Sequence, residues 1–288
     1  MFKKLHQFLE MTASRLLLEH NDDLVGFFNS VPQSRIILAV EQLLEEFSVK
    51  FPSPLPKERQ CFTVYLGKVQ SESARVFQGF TTRTKQVNAR VIYLSDIPGL
   101  VQLSFDLGIF QALNLLWTQI CGTSIGNQVS PVLSNIAVSL LEINWMRGYK
   151  ILIDASASTW FMCRYVDNRL SLTTASMAKN PAVLKFHQEL FYEHPVCLEL
   201  VDDHKFLGFV IDVDARSLTY ILPSKPWQIR PPQSAGSISL NLSGLRSRVS
   251  LIKKYSFPSS IIPVTLGKLR ALYASQGFDP QLLQRIIR

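Results

Sequence analysis

Two acidic positions and one loop carry the residue types and spacings from which chemistry could be built. In "FMCRYVDNRL", residues 161–170, Asp167 and Asn168 sit side by side within an apolar and aromatic run. Asp and Asn are poor strand formers and good turn formers. The spacing therefore predicts a β-hairpin with Val166, Asp167 and Asn168 at its tip. A carboxylate there is either an ordinary turn residue or a ligand held out on a rigid support. Asp23, in "NDDLVGFF", opens a short continuous apolar run suited to a buried strand. The loop "CGTSIGNQVSP" (121–131) holds two glycines and a Ser-Thr cluster ahead of Ser130-Pro131, a helix-start signal. Uncovered backbone N–H groups near a helix N-terminus form an anion site. The loop lacks the lysine of a P-loop, and a structural turn would use the same residues.

The elements that must position these groups follow from periodicity. "MFKKLHQFLEMTASRLLLEH" reads as an amphipathic helix, and "LVGFF" as a strand ended by Pro32. Ile36, Ile37, Val40, Leu43, Leu44 and Phe47 then recur at helical spacing. Residues 52–94 read as an insertion, where "CFTVYLGKV" and "ARVFQGF" alternate as in a hairpin. The apolar window 99–122 is interrupted by Asp106, Asn114 and Gln119, which favours a buried helix followed by a strand over a membrane span. Residues 180–194 predict a helix, and 197–222 two or three strands. Residues 222–240 form a Pro/Ser-rich linker. From Asn241 to Arg288 there are eight Lys or Arg against one acidic residue, with Tyr255, Phe257, Tyr273 and Phe278 interleaved. Lys253, Lys254, Lys268 and Arg270 of this basic helical segment are candidates for holding a nucleic-acid backbone.

The chain has 288 residues, a net charge of +8 and a pI near 9.4, which favours a polyanionic partner. Its four cysteines lie far apart without a CxxC pair. They read as buried thiols of a reducing, intracellular compartment, which argues against a disulfide-stapled secreted protein. The N-terminal stretch is too charged for a cleavable signal.

Taken in order, these segments resemble the palm of reverse transcriptases over residues 20 to 215, with the basic tail as thumb (residues 241–288). "DLVGFF" looks like that family's first palm motif and "GTSIGNQVSPVLSN" like its loop and helix beside template and nucleotide. "RYVDN" resembles its Tyr-x-Asp-Asp hairpin and "KFLGFVID" the strand joining palm to thumb. The "GTSIGNQVSP" spelling, with Ile125, is similar to Penelope-like and related non-LTR retroelement enzymes. The resemblance implies an α+β fold, a polymerase palm of antiparallel sheet backed by helices with a small helical thumb. It implies an RNA-directed DNA polymerase that uses two Mg²⁺ ions, Mn²⁺ serving as substitute. Asp23, Asp167 and Asn168 would be catalytic, and Asp23, Asp167, Asn168 and the Leu24 carbonyl would hold metal. Phe28 would screen the sugar 2′-hydroxyl. Gly122, Thr123, Ser124, Ile125, Gly126 and Asn127 would lie along the nascent base pair. Partners would be an RNA template, a DNA primer and deoxynucleoside triphosphates, with no membrane.

Two departures weigh against activity. Asn168 replaces the family's second Asp, removing one negative charge. Only 22 residues precede Asp23, too few for the fingers, so the chain reads as a truncated copy or one piece of a longer product. The alternative is a catalytically silent palm that binds nucleic acid or acts as a scaffold.

Overall fold

A computed structural model describes residues 1–52, 55–65, 89–124, 128–187, 192, 194, 196–201, 204–225, 228–234 and 237–287. In chain order the elements are α1 (Phe2–Met11), β1 (Leu17–Val25), α2 (Gln33–Lys50), β2 (Cys61–Tyr65), β3 (Ala89–Tyr93), α3 (Ile97–Asp106), β4 (Ile109–Ala112), β5 (Leu115–Thr118), α4 (Ser130–Gly148) and α5 (Lys150–Ala155). They continue with β6 (Trp160–Tyr165), β7 (Asn168–Thr174), α6 (Pro181–His187), β8 (Cys197–Leu200), β9 (Lys205–Phe206), β10 (Phe209–Asp212), β11 (Ser217–Tyr220), α7 (Ile238–Tyr255), α8 (Ile261–Ser275) and α9 (Pro280–Ile287). The chain divides into two discontinuous compact units, 1–24 with 149–188 and 198–288, and 25–148 with 189–197.

The first unit is built on a sheet of order β6-β7-β1-β8. Its antiparallel register runs from Leu17 opposite Thr174 to Asp23 opposite Asn168. Side chains alternate across a strand, so Leu17, Leu170 and Leu172 share one face. They pack there with Leu5, Phe8 and Leu9 of α1 and with Phe206, Phe209, Ile211 and Leu218. The last four come from a second sheet, ordered β11-β10-β9. Helices α7, α8 and α9 close over their own core of Leu245, Ile252, Leu269, Tyr273 and Leu283. The Phe2 ring stacks on Tyr255 at 4.5 Å, joining α7 to α1 within the same unit.

In the second unit α2 packs along α4, burying Ile36, Ala39, Val40, Ala137, Val138 and Leu140. Helix α4 begins at Ser130, as the Ser-Pro signal predicts. The short sheets β2-β3 and β4-β5 are hairpins.

Several local expectations are corrected. The opening helix stops at Met11, where Thr12 Oγ1 turns back onto the Phe8 carbonyl at 2.7 Å. Leu17 to His20 then join β1, because pairing with β7 outweighs local helical periodicity. "LVGFF" is not a strand of its own: β1 ends at Val25, and Gly26 at φ +74° opens a turn closed by Ser30 N–H on the Gly26 carbonyl (2.7 Å). Asp23 thus lies near the end of its strand. The hairpin arm β2 pairs with Ala89–Tyr93, while the predicted partner "ARVFQGF" lies outside the described residues. Residues 109–118 form a hairpin whose Phe110, Leu115, Leu116 and Trp117 are exposed, so this window is no buried strand. No described helix is long and apolar enough to cross a membrane. Among the described residues, 197–222 hold four strands, not two or three. Helix α7 starts at Ile238, inside the stretch read as linker. Of the cysteines only Cys61 is fully buried; Cys121 and Cys197 are exposed.

Candidate functional site

The hairpin around Asp167 forms as its sequence predicts, with one adjustment. Asn168 already belongs to β7, opposite Tyr165, so Val166 and Asp167 alone make the turn. Val166 has φ +57°, a left-handed conformation that a β-branched residue rarely adopts and that costs about 1–3 kcal/mol. The Arg164 guanidinium holds this turn by donating to the Val166 carbonyl at 2.6 Å. The Leu24 N–H donates to the Asp167 carbonyl at 2.9 Å, tying the turn to β1. Register then places Asp23 directly opposite Asn168.

The two carboxylates remote in sequence are therefore brought together. Burial first, and then the negative charges of Asp167 and Glu199, hold the Asp23 carboxyl above the ordinary aspartate range. A hydrogen bond from the Leu24 backbone offsets this only in part. Asn168 donates from Nδ2 to Asp167 Oδ1 at 2.9 Å. A carboxylate at residue 168 would repel Asp167 where the amide now braces it. Leu24 itself is a core residue, 2 % exposed.

Glu199 was not anticipated from sequence. It is exposed on β8, the strand flanking β1 on the side away from the hairpin. Val201 N–H bonds the Asn21 carbonyl at 2.9 Å; two residues before Val201 and two after Asn21 stand Glu199 and Asp23. Only strand pairing reveals this, because "CLELV" carries no motif.

An excess of negative charge at a rigid sheet end suits a hard divalent cation. Mg²⁺ takes one or two protein carboxylates and fills its remaining positions with water and phosphate oxygens. Asp23 and Asp167 fit that demand. Among the described residues no group of three or more His, Cys, Asp or Glu side chains gathers in the manner of an all-protein metal cage.

Behind this edge, on the opposite face of the sheet, lies a buried polar cluster. Arg169 donates from Nε and Nη2 to Asp22 Oδ2 at 2.9 and 2.5 Å. His20 Nε2 lies 2.8 Å from Asp22 Oδ1. Burial raises the Asp22 pKa, yet the contacts with His20 and Arg169 outweigh it and bring the carboxyl below the usual range. Phe186 of α6 covers the guanidinium at 4.2 Å.

The loop and Phe28 meet within the second unit. Thr123 N–H donates to the Phe28 carbonyl at 2.6 Å and Gly122 N–H to the Val31 carbonyl at 3.0 Å. Thr123 Oγ1 shares a 2.8 Å bond with Ser134 Oγ of α4. Gly122 has φ +69°, and a Cβ there would stand 2.3 Å from the Phe28 carbonyl oxygen. Glycine is required at this residue. Two backbone N–H groups are thus spent on the 28–31 turn, so the Gly122–Thr123 segment acts first as a brace. Phe28 is half-buried, with its ring edge-on to Phe27 at 4.9 Å. Ser124 Oγ donates to Gln119 Oε1 at 2.9 Å. Ile125, Gly126 and Asn127 lie outside the described residues. Lys253, Lys254 and Lys268 are exposed on α7 and α8, and Arg270 is half-exposed.

No protein-family model matches the sequence, and no curated protein matches it. Among solved structures the chain is similar to apo telomerase from Candida tropicalis, with a TM-score of 0.57 and 13 % identity over 99 % of this chain and 45 % of that one. It is similar to telomerase from Candida albicans in complex with a TWJ fragment of telomeric RNA, with a TM-score of 0.55 and 11 % identity over 99 % and 50 %. The C. tropicalis telomerase in complex with the TWJ fragment gives 0.55 and 12 % identity over 95 % and 42 %. The chain spans half or less of the length of these relatives. At such identities the likeness is one of fold: mixed helix and antiparallel sheet in a polymerase arrangement shared with telomerase.

Proposed function

We propose that this chain is an RNA-directed DNA polymerase of retroelement type, or the palm and thumb part of one. The observation that supports it most is the coupling of Asp23, near the end of β1, to Asp167 in the adjoining hairpin turn of a telomerase-like fold. Asp23 and Asp167 would hold Mg²⁺, with Glu199 adding negative charge nearby and the Asn168 amide fixing the Asp167 rotamer. Bound there, two such ions supply the charge that stabilises attacking and leaving oxygens in an in-line displacement at phosphorus. An RNA template, a DNA primer and deoxynucleoside triphosphates are the substrates in this reading. Phe28 selects the deoxy sugar, and Lys253, Lys254, Lys268 and Arg270 contact phosphates. The reaction takes place inside the cell, where the thiols stay reduced.

The test is Mg²⁺-dependent extension of a DNA primer on an RNA template, by this chain and by any longer product containing it. Extension is lost in Asp23→Ala and Asp167→Ala while the fold is kept. Wild-type rates in those two variants would rule out the site. If Phe28→Ala leaves the choice between ribo- and deoxynucleotides unchanged, an RNA-directed RNA polymerase is favoured instead.

The bond from Asn168 to Asp167 favours one other reading, a silent palm that binds nucleic acid or serves as scaffold. Comparing Mn²⁺ affinity of wild type and Asn168→Asp separates the two. A site that binds no metal until the carboxylate is restored is silent.

A further inference from the structure

Residues 21–23, Asn-Asp-Asp, present two adjacent carboxylates, and adjacent residues on a strand point to opposite faces. A slip of one residue between β1 and β7 would exchange their faces. Only one register gives each aspartate a partner: Asp22 opposite Arg169 and Asp23 opposite Asn168. A slip in one direction leaves Asn21 facing Arg169; the other brings Leu24 opposite Asn168.

We propose that Arg169 is a positioning residue: by holding Asp22 on the back of the sheet it fixes the register that presents Asp23, and not Asp22, beside Asp167. This rests on the polymerase reading of the front edge. Both partners are buried, with side chains 1 % and 3 % exposed. A buried ion pair is a weak source of net stability, because taking two charges out of water costs about what their attraction returns; setting register is its best-attested use. The pair lies one register step from Asp23, so displacement there moves the ligand. Its surroundings leave it little play. The guanidinium is covered by Phe186. Asp22 is contacted by His20, whose ring stacks on His187 at 4.0 Å. His187 Nε2 and Trp160 Nε1 each lie 3.0 Å from Ser171 Oγ, bracing the same face of β7.

The decisive variant is the double replacement Asp22→Leu/Arg169→Met, which removes both charges and keeps apolar volume. It folds with a Tm near wild type. Its Mn²⁺ affinity falls at least about tenfold, as for other groups that orient a metal ligand, and kcat falls while KM for primer–template is unchanged. Exchange of the Leu24 amide, which bonds the Asp167 carbonyl, speeds up about tenfold as the strand end loosens. The charge-swapped pair Asp22→Arg/Arg169→Asp restores the register lock and brings back Mn²⁺ affinity and slow exchange. A folded double variant with wild-type Mn²⁺ affinity and wild-type Leu24 exchange overturns the proposal. If wild type neither binds Mn²⁺ nor extends a primer, the polymerase reading falls by itself, and Leu24 exchange alone decides the role of Arg169.

Discussion

Two neighbouring aspartates should respond to the same substitution with opposite signs. Asp22→Asn leaves the Arg169 guanidinium, 1 % exposed, without its counter-charge. Breaking a buried pair in this way costs about 3 kcal/mol or more. Near 2–4 °C per kcal/mol for a chain of this size, Tm falls by roughly 10 °C. Asp23→Asn removes a half-exposed carboxylate that Asp167 and Glu199 repel, so it stabilises. Discounted for solvent screening, the gain is about 0.5 kcal/mol, or roughly 1–2 °C. Linkage sets the pH dependence. The folded pKa of Asp22 is lowered, so its stabilising charge acts above the unfolded value of 3.8 and is lost as pH falls through the folded pKa. The folded pKa of Asp23 is raised, so its penalty is complete above the folded pKa and absent below the unfolded one. Calorimetry stepped from pH 7 down to about pH 2, at low and high salt, measures both effects. Salt shrinks the gain at Asp23 and spares the loss at Asp22. Mn²⁺ at about a hundred times its Kd adds about 2.7 kcal/mol to wild type and nothing to Asp23→Asn, which reverses their order. A destabilised Asp23→Asn that still binds Mn²⁺ as wild type does would refute the reasoning.

Other perturbations follow from single contacts. His187 is held neutral, its pKa lowered to about 4 by burial and then by the charges of His20 and Arg169. Between pH 6.5 and 4 the unfolded chain takes up a proton that the folded one refuses, so stability falls with falling pH, by about 1–2 kcal/mol after allowing for exposure. Urea denaturation across that window shows the slope in wild type and loses it in His187→Gln. Gly122→Ala puts a methyl group on the Phe28 carbonyl at a left-handed backbone position. It costs about 2 kcal/mol or more, measured as a lower Tm. Glu199→Gln removes one of the two charges that raise Asp23, so the Asp23 carboxyl followed by NMR titrates at lower pH than in wild type, and Mn²⁺ affinity drops. Unchanged titration would place Glu199 outside the site.

Features set within a few residues were legible in the sequence. The turn at Asp167 needed only poor strand formers in an otherwise extended run, and the start of α4 needed only Ser130 before Pro131. The helical character of the basic C-terminal segment was legible too, and it forms α7, α8 and α9. What escaped were outcomes settled by partners far along the chain. β1 captured Leu17 to His20 from the opening helix because β7 offered a ladder of backbone hydrogen bonds and a shared leucine face. The 109–118 hairpin is apolar yet exposed among the described residues, and composition does not tell inside from outside.

The candidate site divides along the same line. Sequence alone determined which residue types stand ready: Asp23, Asp167, Asn168 and a glycine loop ahead of a capped helix. Tertiary structure decided which of two adjacent aspartates faces the hairpin tip, brought Glu199 beside it, and turned two N–H groups of the glycine loop inward to brace Phe28 and Val31. Strand register is responsible. A side chain's face depends on a pairing between residues more than a hundred positions apart, and a step of one residue inverts it.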